Sequence, residues 1–300
     1  MVVIRSLVLA TLLLSSAAGQ YSGSVVCGKC HPKQYSQQSK SGHARSLSKT
    51  SDHPLSTLFS GKPGEWAFGA GEQAVTFVSR LDDEHYVEHG LTYYARTKQM
   101  GSTPGHSSTA GAKYRTFDPD AAILRCFQCH STGPLKLAPG STITPFETGV
   151  RCESCHGPGE EHARSRAAIA NPKRLNGAQV NDLCGACHRK ISSEESTNWN
   201  DAWNVRHQPL YFAQSRCFVK SSGKMSCFTC HAPHEAVSRS AKEYSRVCTS
   251  CHEGVRHKAV IASQTCTECH MPVVKLNDKL QFANHWIGVY SRRKMLRPVR

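Results

Sequence analysis

Three positions recur together along the sequence: two cysteines three residues apart, and a histidine directly after the second. This C-x-x-C-H pattern occurs seven times in 300 residues. With 15 cysteines and 17 histidines, random order would give about 0.04 such motifs in the whole chain. The motif cysteines are Cys27, Cys30, Cys126, Cys129, Cys152, Cys155, Cys184, Cys187, Cys227, Cys230, Cys248, Cys251, Cys266 and Cys269. The motif histidines are His31, His130, His156, His188, His231, His252 and His270.

C-x-x-C-H is the signature of covalent haem attachment. Two cysteines at this spacing reach the two vinyl groups of one porphyrin, and the adjacent histidine then meets the iron as its proximal ligand. We therefore predict seven covalently attached haem c groups. A disulfide scaffold or a tetrahedral zinc site would leave the seven following histidines unexplained. Cys217 is the single cysteine outside the motifs, and we expect a buried, unreacted thiol there.

Ten histidines lie outside the motifs, and seven haems with histidine on both faces need seven of them. His234 follows His231 by only three residues, so we expect it to serve a neighbouring haem. The same argument, with looser bounds, applies to His162 and His257. The predicted distal ligands are His43, His106, His162, His207, His234, His257 and His285. His53, His85 and His89 are expected to be structural, and no catalytic residue is predicted. Histidine on both faces favours low reduction potentials.

The formal net charge of +15 would ordinarily suggest nucleic-acid binding. Seven haems bring fourteen propionates, about −14 when all are ionised, and each ferric centre restores about +1. Much of the basic surplus is therefore expected to compensate propionates. Nucleic acid is not an expected partner.

The first residues have the features of a secretory signal over 1–19. Arg5 carries a positive charge, Leu7–Leu14 is apolar, and Ala17-Ala18-Gly19 is a small-residue cleavage site before Gln20. An uncleaved N-terminal anchor stays open as an alternative. No later stretch approaches 18 apolar residues, so no transmembrane segment is expected. These features predict an exported protein, periplasmic or extracellular.

The motif spacing predicts two regions after the signal: a one-haem region over 20–125 and a six-haem region over 126–300. In the first, residues 75–79 and 85–94 predict a small β-hairpin insertion near 66–94, with a loop over 101–112. In the second, short helices are expected over 160–170 and 235–246, with Pro/Gly-rich loops such as 131–149. The expected fold is mainly α and irregular, with short helices and loops wrapped around haems, and we expect the haem-free chain to be largely unfolded.

Four stretches resemble the cytochrome c-554 family (also called c-552/4) of multihaem c-type cytochromes. They are Cys27-Gly-Lys-Cys-His-Pro-Lys-Gln-Tyr35 with Ser41-Gly-His43-Ala, Gly149–His162, Cys227-Phe-Thr-Cys-His-Ala-Pro-His234, and Cys266–Pro272 with Asn284-His285. The resemblance implies stacked, closely spaced haems with mainly bis-histidine ligation, which move electrons between partner proteins. Family members often carry a tryptophan between the tyrosine and serine positions, where this chain has Gln38.

Electron transfer between redox partner proteins is therefore the leading prediction. The first alternative is a multihaem oxidoreductase that acts on a small nitrogen or sulfur species at one open haem. Related nitrite and tetrathionate reductases generally replace the histidine of the catalytic motif with lysine, whereas all seven motifs here end in histidine. Hydroxylamine-oxidising relatives keep histidine, so the enzyme alternative stays open. The second alternative is a polymerising filament subunit, and an oligomer is not excluded.

Overall fold

The structure is a computed structural model that describes residues 19–59, 64–105, 111–115, 122–138, 142–255, 257, 265–291 and 294–299. Most of the predicted signal, residues 1–18, and the predicted ligand His106 lie outside this part of the chain. The helices are α1 (Ser24–Gly28), α2 (Pro32–Gln38), α3 (Ala122–His130), α4 (Cys152–His156), α5 (Glu160–Ser165), α6 (Gly177–His188), α7 (Gln208–Ala213), α8 (Arg216–Lys220), α9 (Cys227–Cys230), α10 (Ala241–Thr249) and α11 (Cys266–His270). The strands are β1 (Leu47–Lys49), β2 (Trp66–Phe68), β3 (Ala74–Arg80), β4 (His85–Tyr94), β5 (Gln99–Ser102), β6 (Ala112–Arg115), β7 (Ser131–Ala138), β8 (Thr142–Thr148), β9 (Val273–Lys275) and β10 (Gln281–Ala283).

Every C-x-x-C-H motif begins on a helix. On a helix, positions i, i+3 and i+4 share one face, so the two cysteines and the histidine of a motif point the same way. The longest of these helices is α6. Its N-cap is Asn176, whose side chain accepts from Gln179 N in a capping box, and its C-cap is Arg189, with a φ of 70°. Both predicted helices are present with different bounds. The helix predicted over 160–170 is shorter and spans Glu160–Ser165, and the one predicted over 235–246 is shifted to Ala241–Thr249.

The predicted hairpin is part of a larger sheet. Strands β3 and β4 pair antiparallel around the turn at 81–84, as expected, with a register shift between Thr76 and Val78. The sheet has six strands in the order β1-β2-β3-β4-β5, and β6 also pairs with β4. The prediction of a small hairpin was therefore too limited, because the outer strands come from segments with no strand pattern of their own. Strands β5 and β6 also take up parts of the predicted loop over 101–112.

The prediction of a loop over 131–149 is wrong. Strands β7 and β8 form an antiparallel pair there, with a register shift between Thr132 and Leu135. Gly133 and Pro134 occupy that irregular step, where a residue without a ladder hydrogen bond is tolerated. Strands β9 and β10 form a third, two-stranded sheet near the C-terminal end.

The buried apolar side chains form three clusters, two on the six-stranded sheet and one near α7 and β9. The sheet packs Trp66, Phe68 and Tyr86 against Phe127 of α3. A second cluster on the sheet centres on Phe59 and Phe77, and a third joins Leu210, Tyr211 and Val274. In the segment between Tyr211 and Val274, none of the described residues of 216–271 is buried, although this segment carries three motifs. Side chains alone therefore do not form the interior of this segment.

The apolar core of the sheet narrows the expectation of a largely unfolded haem-free chain. Without haem attachment, we expect segment 216–271 to unfold and the six-stranded sheet to persist, because the sheet has an apolar core of its own and this segment has none. Limited proteolysis with peptide mass mapping, on chain produced with and without haem attachment, would test this. Cleavage should appear rapidly within 216–271 of the haem-free chain and slowly within 64–105. A haem-free chain as resistant in 216–271 as the haem-loaded protein would contradict the prediction.

Candidate functional site

Ten histidines form five pairs of similar geometry. In each pair, a motif histidine lies opposite a histidine from elsewhere in the chain, with ring centroids 6.0–6.4 Å apart. The pairs are His31 with His162, His188 with His43, His156 with His234, His231 with His285, and His270 with His257.

This separation fits one metal ion held between two imidazoles. A metal–imidazole nitrogen bond is about 2.0 Å long and the ring centroid lies about 1.1 Å behind the nitrogen, so two such rings on opposite faces have centroids about 6.2 Å apart. Five separate pairs, formed by segments distant in sequence, converge on this value. The residues present therefore fit iron coordinated from both faces of a porphyrin.

Hydrogen bonds fix which ring nitrogen is available. His156 Nδ1 lies 2.8 Å from the Ala170 carbonyl oxygen, and His162 Nδ1 lies 2.7 Å from that of Ala167. Equivalent contacts to backbone carbonyls are made by His130, His270 and His285 at 2.9–3.0 Å. A carbonyl accepts only, so Nδ1 donates and carries the proton. Nε2 is left with a free lone pair to bind a metal.

The side chains of His43 and His188 are solvent-accessible. Protein atoms packed around the two rings nevertheless lower the pKa of His188 to about 4 and also lower the pKa of His43. His285, half-buried, likewise has its pKa lowered to about 4 by burial. These imidazoles are therefore neutral at physiological pH, which is the form that binds iron.

Each non-motif histidine of a pair lies near one motif in sequence and pairs with the histidine of another. His234, just after the Cys227 motif, lies opposite His156. His162 follows the Cys152 motif and lies opposite His31, and His257 follows the Cys248 motif and lies opposite His270. The pairs thus tie the motifs together in space.

The remaining histidines differ from these. Among the described residues, neither His130 nor His252 lies opposite another histidine ring, and neither does His207. His207 Nδ1 instead lies 3.5 Å from Arg189 Nη1, and burial and two arginines lower the pKa of His207 to about 4. Among the described residues, His207 is thus a predicted ligand with no motif histidine opposite it. His106 lies outside the described residues.

Both ring nitrogens of His53 are used in structural hydrogen bonds. Its Nδ1 accepts from Leu55 N and its Nε2 contacts the Gly69 carbonyl oxygen, both at 3.0 Å. His85 pairs with Asp82, and His89 with the Ser79 hydroxyl.

The motifs also lie close to one another. Cysteines of different motifs lie near enough to affect each other's thiol pKa at Cys27 and Cys152, at Cys129 and Cys187, at Cys184 and Cys227, and at Cys248 and Cys266. Cys155 lies near Cys184, and Cys230 near Cys248. Every motif therefore has another motif beside it.

Comparison with known proteins supports the same chemistry. A family model described as cytochrome c554 and c-prime matches residues 89–157, and a model of the doubled CXXCH motif matches residues 144–193. Both matches support the predicted resemblance to multihaem c-type cytochromes, and they support haem c bound covalently at the CXXCH motifs.

The chain is similar to the C-type polyheme cytochrome OmcC of Geobacter sulfurreducens, with 27% identity over 44% of this chain and 22% of the relative. It thus spans less than a quarter of the length of that relative. Its fold is similar to the crystal structure of the outer cell wall cytochrome OcwA, with a TM-score of 0.57 and 15% identity, over 89% of this chain and 79% of that one. The arrangement of short helices, loops and small sheets is thus similar to the fold of that cytochrome. Within the described part of the chain, no helix combines the length and hydropathy needed to cross a bilayer.

Sequence reasoning missed the residues that support the ligands. Glu153, inside the Cys152 motif, is 3% exposed and accepts from the backbone N–H groups of Ser22, Gly23 and Gly159. A carboxylate within a haem motif was the signal in the sequence, but its three donors are distant or in loops. Arg189 and the carbonyls that orient the histidines gave no sequence signal.

Proposed function

We propose that this cytochrome carries seven haems c and transfers electrons between redox partner proteins. The cofactors are attached at the seven cysteine pairs, and the motif histidines are the proximal ligands. The observation that carries the proposal is the set of five histidine pairs at 6.0–6.4 Å. Iron held by protein on both faces has no position for a substrate, which suits electron transfer and low potentials.

Close packing of the motifs supports the same function. Each motif has another motif beside it, so electrons would pass through successive short steps from one partner to the other. The distal ligands under this proposal are His43, His162, His234, His257 and His285. His207 and His106 remain the proposed candidates for the two other haems, those of His130 and His252.

We also propose that the cytochrome works outside the cytoplasm. Covalent haem attachment and the signal-like segment 1–19 fit export, and the similar protein OcwA is described as an outer cell wall cytochrome. Its donor and acceptor would then be redox proteins or surfaces of that compartment.

One observation favours a second candidate function, an oxidoreductase. His252 is exposed and, in the described part of the chain, has no histidine opposite it. An iron bound there on one face only would accept a small nitrogen or sulfur species. This candidate requires that neither His207 nor His106 completes that haem.

The test combines haem counting with low-temperature EPR of the oxidised protein. The expected result is seven haems per chain by pyridine haemochrome assay and intact mass. EPR should show low-spin signals from the paired haems that do not change when nitrite or hydroxylamine is added. A high-spin signal that shifts on addition would favour the oxidoreductase. Fewer than five low-spin haems would contradict the paired assignment.

A further inference from the structure

Residues 284–288, directly after strand β10, supply one of the paired histidines. The ring of His285 lies opposite that of His231, with centroids 6.3 Å apart. These residues belong to no helix or strand, so the backbone bonds of a regular element do not fix the ring. An axial ligand has to be held to within about 0.5 Å. Contacts from other parts of the chain must therefore hold residues 284–288, which we call the His285 segment.

The first of these contacts comes from Ser215, whose side chain is fully buried. Its Oγ donates to the His285 carbonyl oxygen at 2.9 Å and accepts from Ile287 N at 2.8 Å. Ser215 is also the N-cap of α8, where a serine side chain commonly accepts from the helix backbone, but it makes no such bond. One hydroxyl thus holds the backbone on both sides of Trp286.

A second buried side chain, that of Asn284, holds the start of the segment. Its Oδ1 accepts from Trp286 N at 2.9 Å. Its Nδ2 donates to the carbonyl oxygens of Met295 and Leu296 at 2.9 and 3.1 Å. The Asn284 backbone N–H donates to the Pro272 carbonyl at 2.9 Å. These bonds fasten the His285 segment to β9 and to the C-terminal residues.

The end of the same segment contacts the proximal ligand of another haem. The Gly288 carbonyl oxygen accepts from His270 Nδ1 at 2.9 Å, and Gly288 N donates to the His270 carbonyl at 3.2 Å. The ring of His270 lies opposite that of His257. An acceptor at Nδ1 fixes the tautomer of a ligating histidine and raises its basicity. The His285 segment therefore supplies the distal ligand of one pair and orients the proximal ligand of another.

We propose that the His285 segment couples the coordination of the haems at the Cys227 and Cys266 motifs, with Ser215 and Asn284 as its positioning residues. The inference rests on the proposed electron-transfer function, in which both histidine pairs bind iron. Movement of the segment changes the bond of His285 to one iron and the hydrogen bond of His270 at the other. Loss of either support is therefore felt at both of these haems.

The test uses EPR of the oxidised, haem-loaded protein and carbon monoxide binding to the reduced protein. Two ligand variants first identify the signals. His285→Ala should make the haem of the Cys227 motif high-spin, and His257→Ala should do the same at the Cys266 motif, each with the loss of one low-spin signal. Carbon monoxide binds a haem with two histidines only after one has left, so its binding rate at saturation measures that release.

Ser215→Ala should change both identified signals, although it removes no ligand. Alanine leaves Ile287 N without its acceptor, which loosens the hold on His285, and carbon monoxide binding at the Cys227 motif should become about tenfold faster. At the Cys266 motif, the reduced-to-oxidised ratio at fixed potential should rise about threefold, the equivalent of a weakened hydrogen bond. A poorer acceptor at His270 Nδ1 makes the imidazole a weaker donor to ferric iron.

Asn284→Ala tests the second support independently. It removes the bonds to Met295 and Leu296 and leaves Trp286 N without its acceptor. The same two signals should change in the same direction as in Ser215→Ala. A change confined to one of them would contradict the coupling.

Thr132→Val is the matched control, because it removes another fully buried hydroxyl that bridges two backbone groups. Thr132 Oγ1 donates to the Gly149 carbonyl at 2.8 Å and accepts from Arg151 N at 2.7 Å, and it also contacts the Ser154 hydroxyl. This variant should leave the signals of the Cys227 and Cys266 motifs unchanged. Equal effects of Thr132→Val and Ser215→Ala on these signals, or none from Ser215→Ala, would overturn the inference.

Failure of the proposed function would look different. In that case His285→Ala and His257→Ala would leave every low-spin signal intact, because the paired histidines would not be iron ligands. Loss of the expected signals in these two variants, with no response to Ser215→Ala, would overturn the coupling alone.

Discussion

Replacing His234 with alanine is expected to convert one haem from low-spin to high-spin, and that haem is the one at Cys152 and Cys155. His234 lies three residues after His231, but its ring lies 6.2 Å from that of His156 and nearly parallel to it, at 10°. Loss of the ring removes one axial ligand there. The potential of that haem should rise by about 0.1 V or more, since axial ligands shift haem potentials over about 0.8 V.

EPR and carbon monoxide binding to the reduced protein measure this change. About one haem per chain should become high-spin and bind carbon monoxide, with the loss of a signal from a near-parallel pair. The control is His89→Ala, which removes a histidine whose Nε2 bonds only to the Ser79 hydroxyl and which should leave all haem signals in place. A His234→Ala protein with unchanged spin state would refute the pairing with His156.

Replacing Glu153 with alanine is expected to cause the largest loss of stability. Its carboxylate is 3% exposed and accepts from Ser22 N at 2.9 Å, Gly23 N at 2.8 Å and Gly159 N at 2.7 Å. Alanine leaves these three donors without their acceptor, and each unsatisfied buried donor costs about 1–3 kcal/mol. We expect the free energy of unfolding to fall by about 3 kcal/mol or more and the segment before α1 to detach.

Denaturant titration of the haem-loaded protein and proteolysis near 19–24 measure this loss. Glu153→Gln keeps one acceptor oxygen and should show a smaller effect. Glu161→Ala is the matched control, because this exposed carboxylate bonds only to Arg164 and Ser165 of its own helix and such surface pairs contribute little. Equal midpoints for Glu153→Ala and Glu161→Ala would show that the Glu153 contacts do not anchor the N-terminal segment.

The local elements were largely predictable. The C-x-x-C-H spacing requires one helix face for each motif, and the structure has short helices at all seven. The alternation of apolar and polar residues over 75–79 and 85–94 predicted the β3–β4 pair, because a hairpin depends on neighbouring residues and on the turn between them. Strands β1, β2 and β6 were not predictable in this way, since a short strand is stabilised by its partner across the sheet.

Strands β7 and β8 show why composition misled. Gly133, Pro134 and Pro145 are typical of loops, and they predicted one. The ladder of β7 tolerates Gly133 and Pro134 because its register shifts at that step. Only the paired strand shows where such an irregularity is allowed.

For the site, the sequence by itself was enough to predict the cofactor, its covalent attachment and one axial ligand for each motif, because these predictions depend on residues within five positions. The three-residue link between His231 and His234 also predicted that His234 serves a neighbouring motif. Only the tertiary structure decided that His234 lies opposite His156 and that His43 lies opposite His188. These relations join segments tens of residues apart, and their distances are set by how the chain folds around its motifs rather than by spacing along it.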